Sequence, residues 1–266
     1  DYFEGFVPES LTRHIDLLAR SGVVGEVKTK NALVKDPTRV KVLGYALNEN
    51  GEVLNTRNHS LVKPRATTKK PKRAKLVLVV GTAMNSGKSM AAASCCWALS
   101  SMGYDVRGSK ITGTASLQDI LHMNDAGAYP YLDFTHLGHP STYMLPEEDL
   151  LDIFNKIDLK HCNNASNYWV AEISDGIGQR ETAILLNSED VKSRIDTLIF
   201  AAGDAFGAIG GLKVLKERFG LEPDAISGVC SSSPLHIREL ESHTNIPVFN
   251  SAAPDLKLLA DVLLKR

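Results

Sequence analysis

KLVLVV (75–80) and the GTAMNSGKS that follows it (81–89) decide the fold of this chain. The first stretch is a continuous apolar run, which is typical of a strand buried on both faces. The second places glycines at both ends of a bend, and an alanine-rich segment with helical character follows at 88–103. A strand, a glycine-containing bend and a helix, in that order, form a concavity whose backbone N–H groups donate hydrogen bonds to an anion. The sequence therefore predicts a phosphate-binding loop at 81–89.

The individual residues of this bend suit phosphate chemistry. Lys88 is placed to reach the β- and γ-phosphates of a nucleotide, and the Ser89 hydroxyl is placed to ligate Mg²⁺. The common pattern would place its first glycine at position 82, which is Thr82 in this chain. Here the first glycine stands one residue earlier, at Gly81. The predicted nucleotide-binding residues here are Gly81, Thr82, Asn85, Ser86, Gly87, Lys88, Ser89 and Met90.

Strand and helix patterns alternate after the bend. An amphipathic helix with acidic residues in its first turn is predicted at 147–160. Further strands are predicted at 105–112, 168–174, 196–202, 224–229 and 246–250. This alternation favours an α/β fold in which a doubly wound, mainly parallel sheet of the P-loop type is covered by helices on both sides.

The first quarter of the chain has a different character. Residues 1–62 contain short β-rich runs and an Asn-Gly turn signal, although 8–20 have helical spacing, so we predict a small, mostly β accessory domain. The segment 63–74 is rich in Lys, Arg and Pro and is predicted to be a basic linker. Residues 75–266 then form the nucleotide-binding domain.

Composition narrows the class of protein and its partners. Lys and Arg total 30 and Asp and Glu total 31, so the net charge of −1 argues against a dedicated nucleic-acid or membrane-surface protein. A nucleic-acid arm in the basic linker is the less favoured alternative. No apolar run is long enough to span a bilayer. The four cysteines, Cys95, Cys96, Cys162 and Cys230, suit free thiols in a reducing compartment, which predicts a cytoplasmic protein.

Several segments together resemble the dethiobiotin synthetase family over about residues 75–252. The bend is similar to that family's GTDxxxGKT, although Ala83 and Asn85 replace two of its acidic residues. Lys110-Ile-Thr-Gly-Thr is similar to its KPVxTG, and the segment from Val170 to Gly178 resembles its VEGxGG. The stretch ISGVCSSSP (226–234) stands where the family has a strand followed by an adenine-reading Asn. The resemblance implies an ATP- and Mg²⁺-dependent enzyme that forms dimers.

The resemblance also implies roles for single residues. Lys110 would bind substrate and stabilise transferred phosphoryl charge, so Lys88, Lys110 and Glu172 form the predicted catalytic set. Mg²⁺ would be held by Ser89, Asp125 and Glu172, with Asp133 as the rival of Asp125. Ser232 stands near the position of the base-reading Asn. A guanine-reading N-K-x-D pattern is absent from the expected place, so ATP is favoured over GTP.

Residues bordering Lys110 are candidates for contacts with a small-molecule substrate. The predicted substrate residues are Thr112, Ser141, Thr142 and Arg180, of which the arginine could bind a phosphate or carboxylate through its planar guanidinium group. Asp175 is either a turn residue or a second acid. The His136 and His139 pair has a spacing found in metal sites, but an ordinary or substrate-contacting loop is favoured.

Three functions fit these observations. The first is an ATP- and Mg²⁺-dependent enzyme that activates or phosphorylates a small carboxylate- or amine-bearing metabolite. The second is an ATP-driven switch that regulates a protein partner. The third is a transferase that uses the loop for the phosphates of another cofactor, such as coenzyme A.

Overall fold

The computed structural model describes residues 2–10, 12–62, 73–161 and 164–265. Most of the predicted basic linker (63–72) and Cys162 lie outside these ranges. The described residues form two sheets, one antiparallel with four strands and one parallel with six. The parallel sheet carries the predicted phosphate loop, so the fold is described from that sheet outward.

The parallel sheet confirms the predicted α/β class. Its strands lie in the order β10-β9-β5-β8-β6-β7, and every pairing among them is parallel. The strands are β5 (Lys75–Gly81), β6 (Val106–Lys110), β7 (Tyr131–Asp133), β8 (Tyr168–Glu172), β9 (Ile195–Ala201) and β10 (Ala225–Ser227). The short edge strand β7 was not predicted, and the predicted strand at 246–250 is reduced to a single bridge between Val248 and Ile226.

Helices cover both faces of this sheet because its central strand is apolar on both sides. Along β5, Val77 and Val79 pack against one layer of helices, whereas Leu76, Leu78 and Val80 pack against the other. The first layer contains α1 (Lys88–Ser101), α2 (Leu117–Asp125) and α8 (Leu256–Leu264). The second contains α3 (Glu147–His161), α4 (Arg180–Asn187) and α5 (Glu189–Lys192). Two further helices, α6 (Ala205–Val214) and α7 (Pro234–Glu241), flank the β9–β10 side.

The amino-terminal unit is a four-stranded antiparallel sheet, ordered β1-β3-β2-β4, with few buried side chains. Its strands are β1 (Phe3–Phe6), β2 (His14–Leu17), β3 (Val24–Lys30) and β4 (Arg39–Lys41). The helical spacing at 8–20 does not give a helix in the described part of this segment, because pairing with β3 and β4 makes His14–Leu17 a strand. The Asn-Gly turn is confirmed: Asn48 and Glu52 pair across it, and Gly51 has a φ of 80°.

The topology places one crevice at the carboxyl edge of the parallel sheet. The chain leaves β5 toward β6 on one side and leaves β8 toward β9 on the other, although β5 and β8 are neighbours. The helix after β5 (α1) lies on one face of the sheet and the helix after β8 (α4) on the other, and such a change of face between adjacent parallel strands leaves a gap where ligands bind in open α/β sheets. The predicted loop follows β5 and Glu172 ends β8, so both lie at this gap.

Candidate functional site

The bend 81–89 joins the end of β5 directly to the start of α1. Gly87 is the residue before α1, has a φ of 94° and has no side chain with which to cap the helix. The first-turn N–H groups of a helix lack internal partners, and they carry the positive end of the helix dipole. The geometry of the bend thus matches the predicted anion-binding concavity.

Close packing against two neighbouring loops holds the bend in shape. A Cβ on Gly87 would lie 2.7 Å from the Cα of Gly228, in the loop after β10. The N–H of Val229 also donates to the Ser86 carbonyl, at 3.0 Å. On the other side, a Cβ on Gly176 would lie 2.2 Å from the carbonyl oxygen of Thr82. The bend is therefore set between the loops that follow β8 and β10.

Lys88, Ser89 and Glu172 meet at the centre of the crevice. The Lys88 Nζ donates to the carbonyl of Ala83, within its own loop, at 2.7 Å. The Ser89 hydroxyl donates to Oε1 of Glu172 at 3.2 Å. Glu172 is only 2% exposed, and its Oε2 has no hydrogen-bond partner. A buried acid beside the serine of a phosphate loop is the pairing that the sequence predicted.

Two buried lysines, Lys88 and Lys110, lie near the buried acid Glu172 at this centre. Burial raises the pKa of the Glu172 carboxyl, which the nearby Lys110 and Lys88 only partly counteract. Burial also lowers the pKa of the Lys88 ammonium, against the attraction of Glu172 and Asp175. For Lys110, burial is outweighed by the carboxylates of Glu172 and Asp119, so its pKa is raised. Such opposed shifts within one crevice are typical of functional sites.

The acid beside Lys110 is Asp119, which sequence reasoning missed. Its carboxylate forms an ion pair with the Lys110 Nζ, from the first turn of α2. Lys110 itself ends β6 and pairs in register with Glu172 of β8. An acid in the first turn of a helix that follows a strand-end lysine was the available signal in the sequence.

Asp125 is not at the crevice, which corrects its predicted role as a metal ligand. It is exposed and ends α2, one helix length away from Asp119. Close by in the chain, Gly127 packs against Ser100, in the last turn of α1, whereas the crevice lies at the first turn of α1. The helix direction therefore carries Asp125 toward the opposite edge of the sheet.

The rival acid Asp133 has partners of its own, one of which is His136 of the histidine pair. Asp133 is buried at the end of β7, and its Oδ1 accepts from the N–H of Thr135 at 2.9 Å and lies 2.8 Å from the Nδ1 of His136. It thus caps the short turn that follows. Among the described residues, no group of three or more His, Cys, Asp or Glu side chains is arranged to hold a metal ion.

Buried polar atoms without partners concentrate at the crevice. Within the described ranges, such atoms occur on five residues, and three of these, Ser86, Glu172 and Ser174, line the loops after β5 and β8. Leaving a buried polar atom unpaired costs about 1–3 kcal/mol. Hydrogen bonds from a polar ligand would remove that cost.

The predicted substrate residues lie on two joined loops beside Lys110. Thr112 and Thr142 are buried, and their hydroxyl oxygens accept hydrogen bonds from the N–H groups of Ser174 (3.0 Å) and Gly113 (2.8 Å). The hydroxyl of Ser141 lies 3.2 Å from that of Thr114. These three predicted residues therefore join the rim loops to one another.

Arg180 lies further along the same rim. It is the first residue of α4, and its Nη1 donates to the Leu145 carbonyl at 2.8 Å. Its side chain is 41% exposed.

The opposite side of the bend carries Met90 and Ser232. Met90 is half-exposed in the first turn of α1, and Ser232 is exposed after β10, in the loop that packs against Gly87. Within that loop the Ser231 hydroxyl donates to the Gly228 carbonyl, and the Ser233 hydroxyl accepts from the N–H of His236 in α7. The structure thus brings Ser232 to the neighbourhood of the bend.

Comparison with known proteins adds little about function. No protein-family model and no curated protein matches this chain. Solved structures with a similar arrangement include the signal recognition particle receptor FtsY of Elizabethkingia anophelis in complex with GDP, with a TM-score of 0.47, 10% identity, and 79% of this chain and 70% of that chain covered. A second structure of the same receptor has a TM-score of 0.46, 13% identity, and covers 77% of this chain and 66% of its own. At these values the likeness carries no statement about function.

None of the helices in the described ranges combines the length and the apolar character that a bilayer crossing requires.

Proposed function

We propose that this protein binds ATP with Mg²⁺ and uses it to activate or phosphorylate a small carboxylate- or amine-bearing metabolite. The observation that carries the proposal is the contact of Ser89 with the buried Glu172, beside Lys88 and at the mouth of a strand–bend–helix unit. Phosphoryl transfer needs positioning and charge neutralisation rather than covalent help. Two lysines, a hydroxyl, the buried Glu172 and the half-buried Asp119 supply those functions.

The residues at the crevice fit a magnesium ion. Glu172 has an unpaired, buried oxygen next to the Ser89 hydroxyl, and oxygen ligands of this kind are those that Mg²⁺ prefers. We infer that Ser89 and Glu172 hold the ion and that Asp119, rather than Asp125, is the second acid. When bound, Mg²⁺ would neutralise phosphate charge.

Lys88 and Lys110 have separable roles in this proposal. Lys88 binds the phosphates together with the N–H groups of the bend. Lys110 approaches the group that is transferred, since it ends the strand next to Glu172 and borders the rim loops. Thr112, Thr142 and Ser141 hold those loops in place.

ATP is proposed over GTP from the chemistry of the loop near Ser232. Recognition of guanine commonly uses a carboxylate, and the segment 228–235 offers only hydroxyl, apolar and main-chain groups. The resemblance to the dethiobiotin synthetase family supports the same choice, and with it a cytoplasmic homodimer.

Thermal unfolding with added ligands tests the proposal. ATP·Mg, GTP·Mg and acetyl-CoA are compared on the wild-type chain, on Lys88→Ala and on the exposed control Lys213→Ala. A ligand at 100 times its Kd stabilises a protein by about 2.7 kcal/mol, which is a visible shift. We expect ATP·Mg to stabilise the wild type and Lys213→Ala, and to have no effect on Lys88→Ala.

The same ligand comparison, together with an ATPase assay, separates the rival functions. Unchanged ATP affinity in folded Lys88→Ala would overturn the proposal. Stabilisation by acetyl-CoA alone would favour the transferase. ATP turnover that depends on a partner protein and on no small molecule would favour the switch.

A further inference from the structure

The rim of the crevice beside Lys110 contains a feature that phosphate binding does not explain. The loop 138–145 is joined to the loop after β6: the Thr142 N–H donates to the Gly113 carbonyl at 2.9 Å, and the Ala115 N–H to the Pro140 carbonyl at 2.9 Å. A Cβ on Gly113 would lie 3.1 Å from Cε of Lys110. The loop 138–145 therefore forms the outer wall of the space next to Lys110.

Met144 has a strained backbone in this wall. Its φ is 57°, a region that glycine adopts readily and a methionine does not. The buried Glu181 holds the residue there, because its Oε1 accepts from the Met144 N–H at 2.8 Å. Strained residues held by their surroundings occur preferentially at functional sites. Two other non-glycine residues with positive φ, Asn85 and Asp175, lie on the loops around the same crevice.

The side chains at this position are unusually apolar for an exposed loop. Tyr143 is 50% exposed and Met144 is 60% exposed. The amino-terminal sheet holds the first of them, since the Tyr143 hydroxyl donates to Oε1 of Glu4 at 2.6 Å. A Cβ on Gly138 would lie 2.3 Å from the Thr56 carbonyl, so the same loop is also packed against the amino-terminal unit at its start.

A cation lies next to this apolar pair. Nη1 of Arg180 donates to the carbonyl of Leu145, the residue after Met144, and pairs with Oε1 of Glu181 at 3.3 Å, while the side chain is 41% exposed. A guanidinium group binds carboxylates through two parallel hydrogen bonds. An apolar pair beside an accessible guanidinium group matches a molecule with an aliphatic chain and a carboxylate.

We propose that Tyr143, Met144 and Arg180 form the acceptor subsite of this protein and select a small aliphatic carboxylate. The inference rests on the proposed function, since it names the class of the molecule that meets the nucleotide. It also gives residues 2–62 a role, because Glu4 and Thr56 position the wall that carries the subsite.

Binding of two ligand series tests the subsite. The series are acetate, butyrate and hexanoate, and the matching ethylamine, butylamine and hexylamine, each with and without ATP·Mg. Wild type, Met144→Gly, Arg180→Lys and Lys265→Gly are compared by ligand-induced thermal shift. Lys265 is the matched control, because it also has a positive φ, 51°, and lies beyond α8.

The expected results are specific to each variant. In the wild type, carboxylates bind more tightly as the chain lengthens, and the amines do not bind. Met144→Gly loses the dependence on chain length, with about a 10-fold weaker affinity for hexanoate, as one or two apolar contacts allow. Arg180→Lys binds all three carboxylates more weakly. Lys265→Gly behaves as the wild type.

Three results would each overturn the inference: a chain-length dependence that persists in Met144→Gly, a wild type that binds the amines, or a wild type that binds none of the carboxylates. None of them depends on the nucleotide, because the series without ATP·Mg is measured separately. An absent ATP shift with carboxylate binding intact would reject the proposed function and keep the subsite.

Discussion

At Glu172, burial and the attraction of neighbouring groups have opposite effects on the charge of the carboxyl group. It ends a strand whose five residues are all buried, so its carboxyl group lies in a poorly solvated position. Lys110 and Lys88 are close enough to attract its charge, and Ser89 donates one hydrogen bond. Burial outweighs these contributions and raises its pKa. A charge held at this cost is better explained by ligand binding than by stability.

The first prediction concerns the pH dependence of stability in Glu172→Gln. Because the folded pKa lies above the ordinary value of 4.5, the folded state binds more protons than the unfolded state in the interval between the two values. The wild type therefore loses stability as pH rises from about 4.5 through the folded pKa, and the glutamine variant lacks this loss. Urea unfolding from pH 4 to 8 should show that the free energy of unfolding of the variant rises relative to that of the wild type as pH increases.

Glu222→Gln is the control for this prediction. Glu222 is exposed, and its hydrogen bond from Lys216 lowers its pKa. Its contribution to the free energy of unfolding is present above pH 4.5 and is lost as pH falls, so its pH dependence has the opposite sign to that of Glu172. Equal slopes for wild type and Glu172→Gln would show that burial does not control the acid.

At the scale of elements, the site depends on how closely three loops approach one another. The bend after β5, the loop after β8 and the loop after β10 touch at glycines, where a side chain would collide with main-chain atoms. Gly87 meets Gly228, and Gly176 meets Thr82. The positions of the N–H groups in the bend therefore depend on contacts between segments that are far apart in sequence.

The second prediction tests this packing with Gly87→Ala. An alanine there suffers both from the positive φ and from contact with the Gly228 backbone, 2.7 Å away. The positive φ alone costs roughly 1–2 kcal/mol, and the collision adds to it. Chemical denaturation should show a larger loss of stability than that amount, and calorimetric titration should show lost ATP·Mg binding.

Gly103→Ala separates the two causes. Gly103 has a φ of 84°, but a Cβ there meets no atom within 4 Å. The free energy of unfolding of this variant should fall only by the amount that the positive φ costs. The variant should bind ATP·Mg as the wild type does. The interpretation would be contradicted if the two variants lost stability equally.

At the scale of the whole molecule, the two edges of the parallel sheet carry different kinds of polar groups. The carboxyl edge holds the loops, the unpaired side-chain atoms of Ser86, Glu172 and Ser174, and the buried Lys88 and Lys110. The amino edge holds a fully paired buried acid: Asp158 of α3 accepts from Arg73 Nη1 at 2.6 Å and from Arg194 Nη2 at 3.0 Å. Arg194 also donates to the carbonyl of Ala74, just before β5. This cluster joins α3 to the starts of β5 and β9.

The third prediction is that Asp158→Asn loses stability but not function. Removing one partner of a buried ion pair costs about 3–5 kcal/mol because the remaining charges lose their counter-ion. The free energy of unfolding should fall by about that amount, whereas the Kd for ATP·Mg should not change. Asp152→Asn is the control on the same helix, since its exposed pair with Lys156 contributes only about 0.3–0.5 kcal/mol. A changed Kd in Asp158→Asn would show that the two edges are coupled.

Much of this fold could be read from local patterns. The apolar run at 75–80, the bend with Lys88 and the acid that ends the strand at Glu172 were predicted and lie together as expected. Such predictions hold because a buried parallel strand must be apolar on both faces, and because carboxyl ends of parallel strands share one edge. The α/β class follows from the same regularities.

The remainder depended on contacts between distant segments. The sequence placed both Asp119 and Asp125 after Lys110, but only the direction of α2 decides which of them reaches it. The spacing at 8–20 suited a helix until pairing with β3 and β4 made it a strand. Local pattern thus determined most strands and helices of the parallel-sheet unit and the position of the 81–89 bend. Only the tertiary structure decided which side chains meet there, because register and helix direction are set by packing between segments and not by their own sequence.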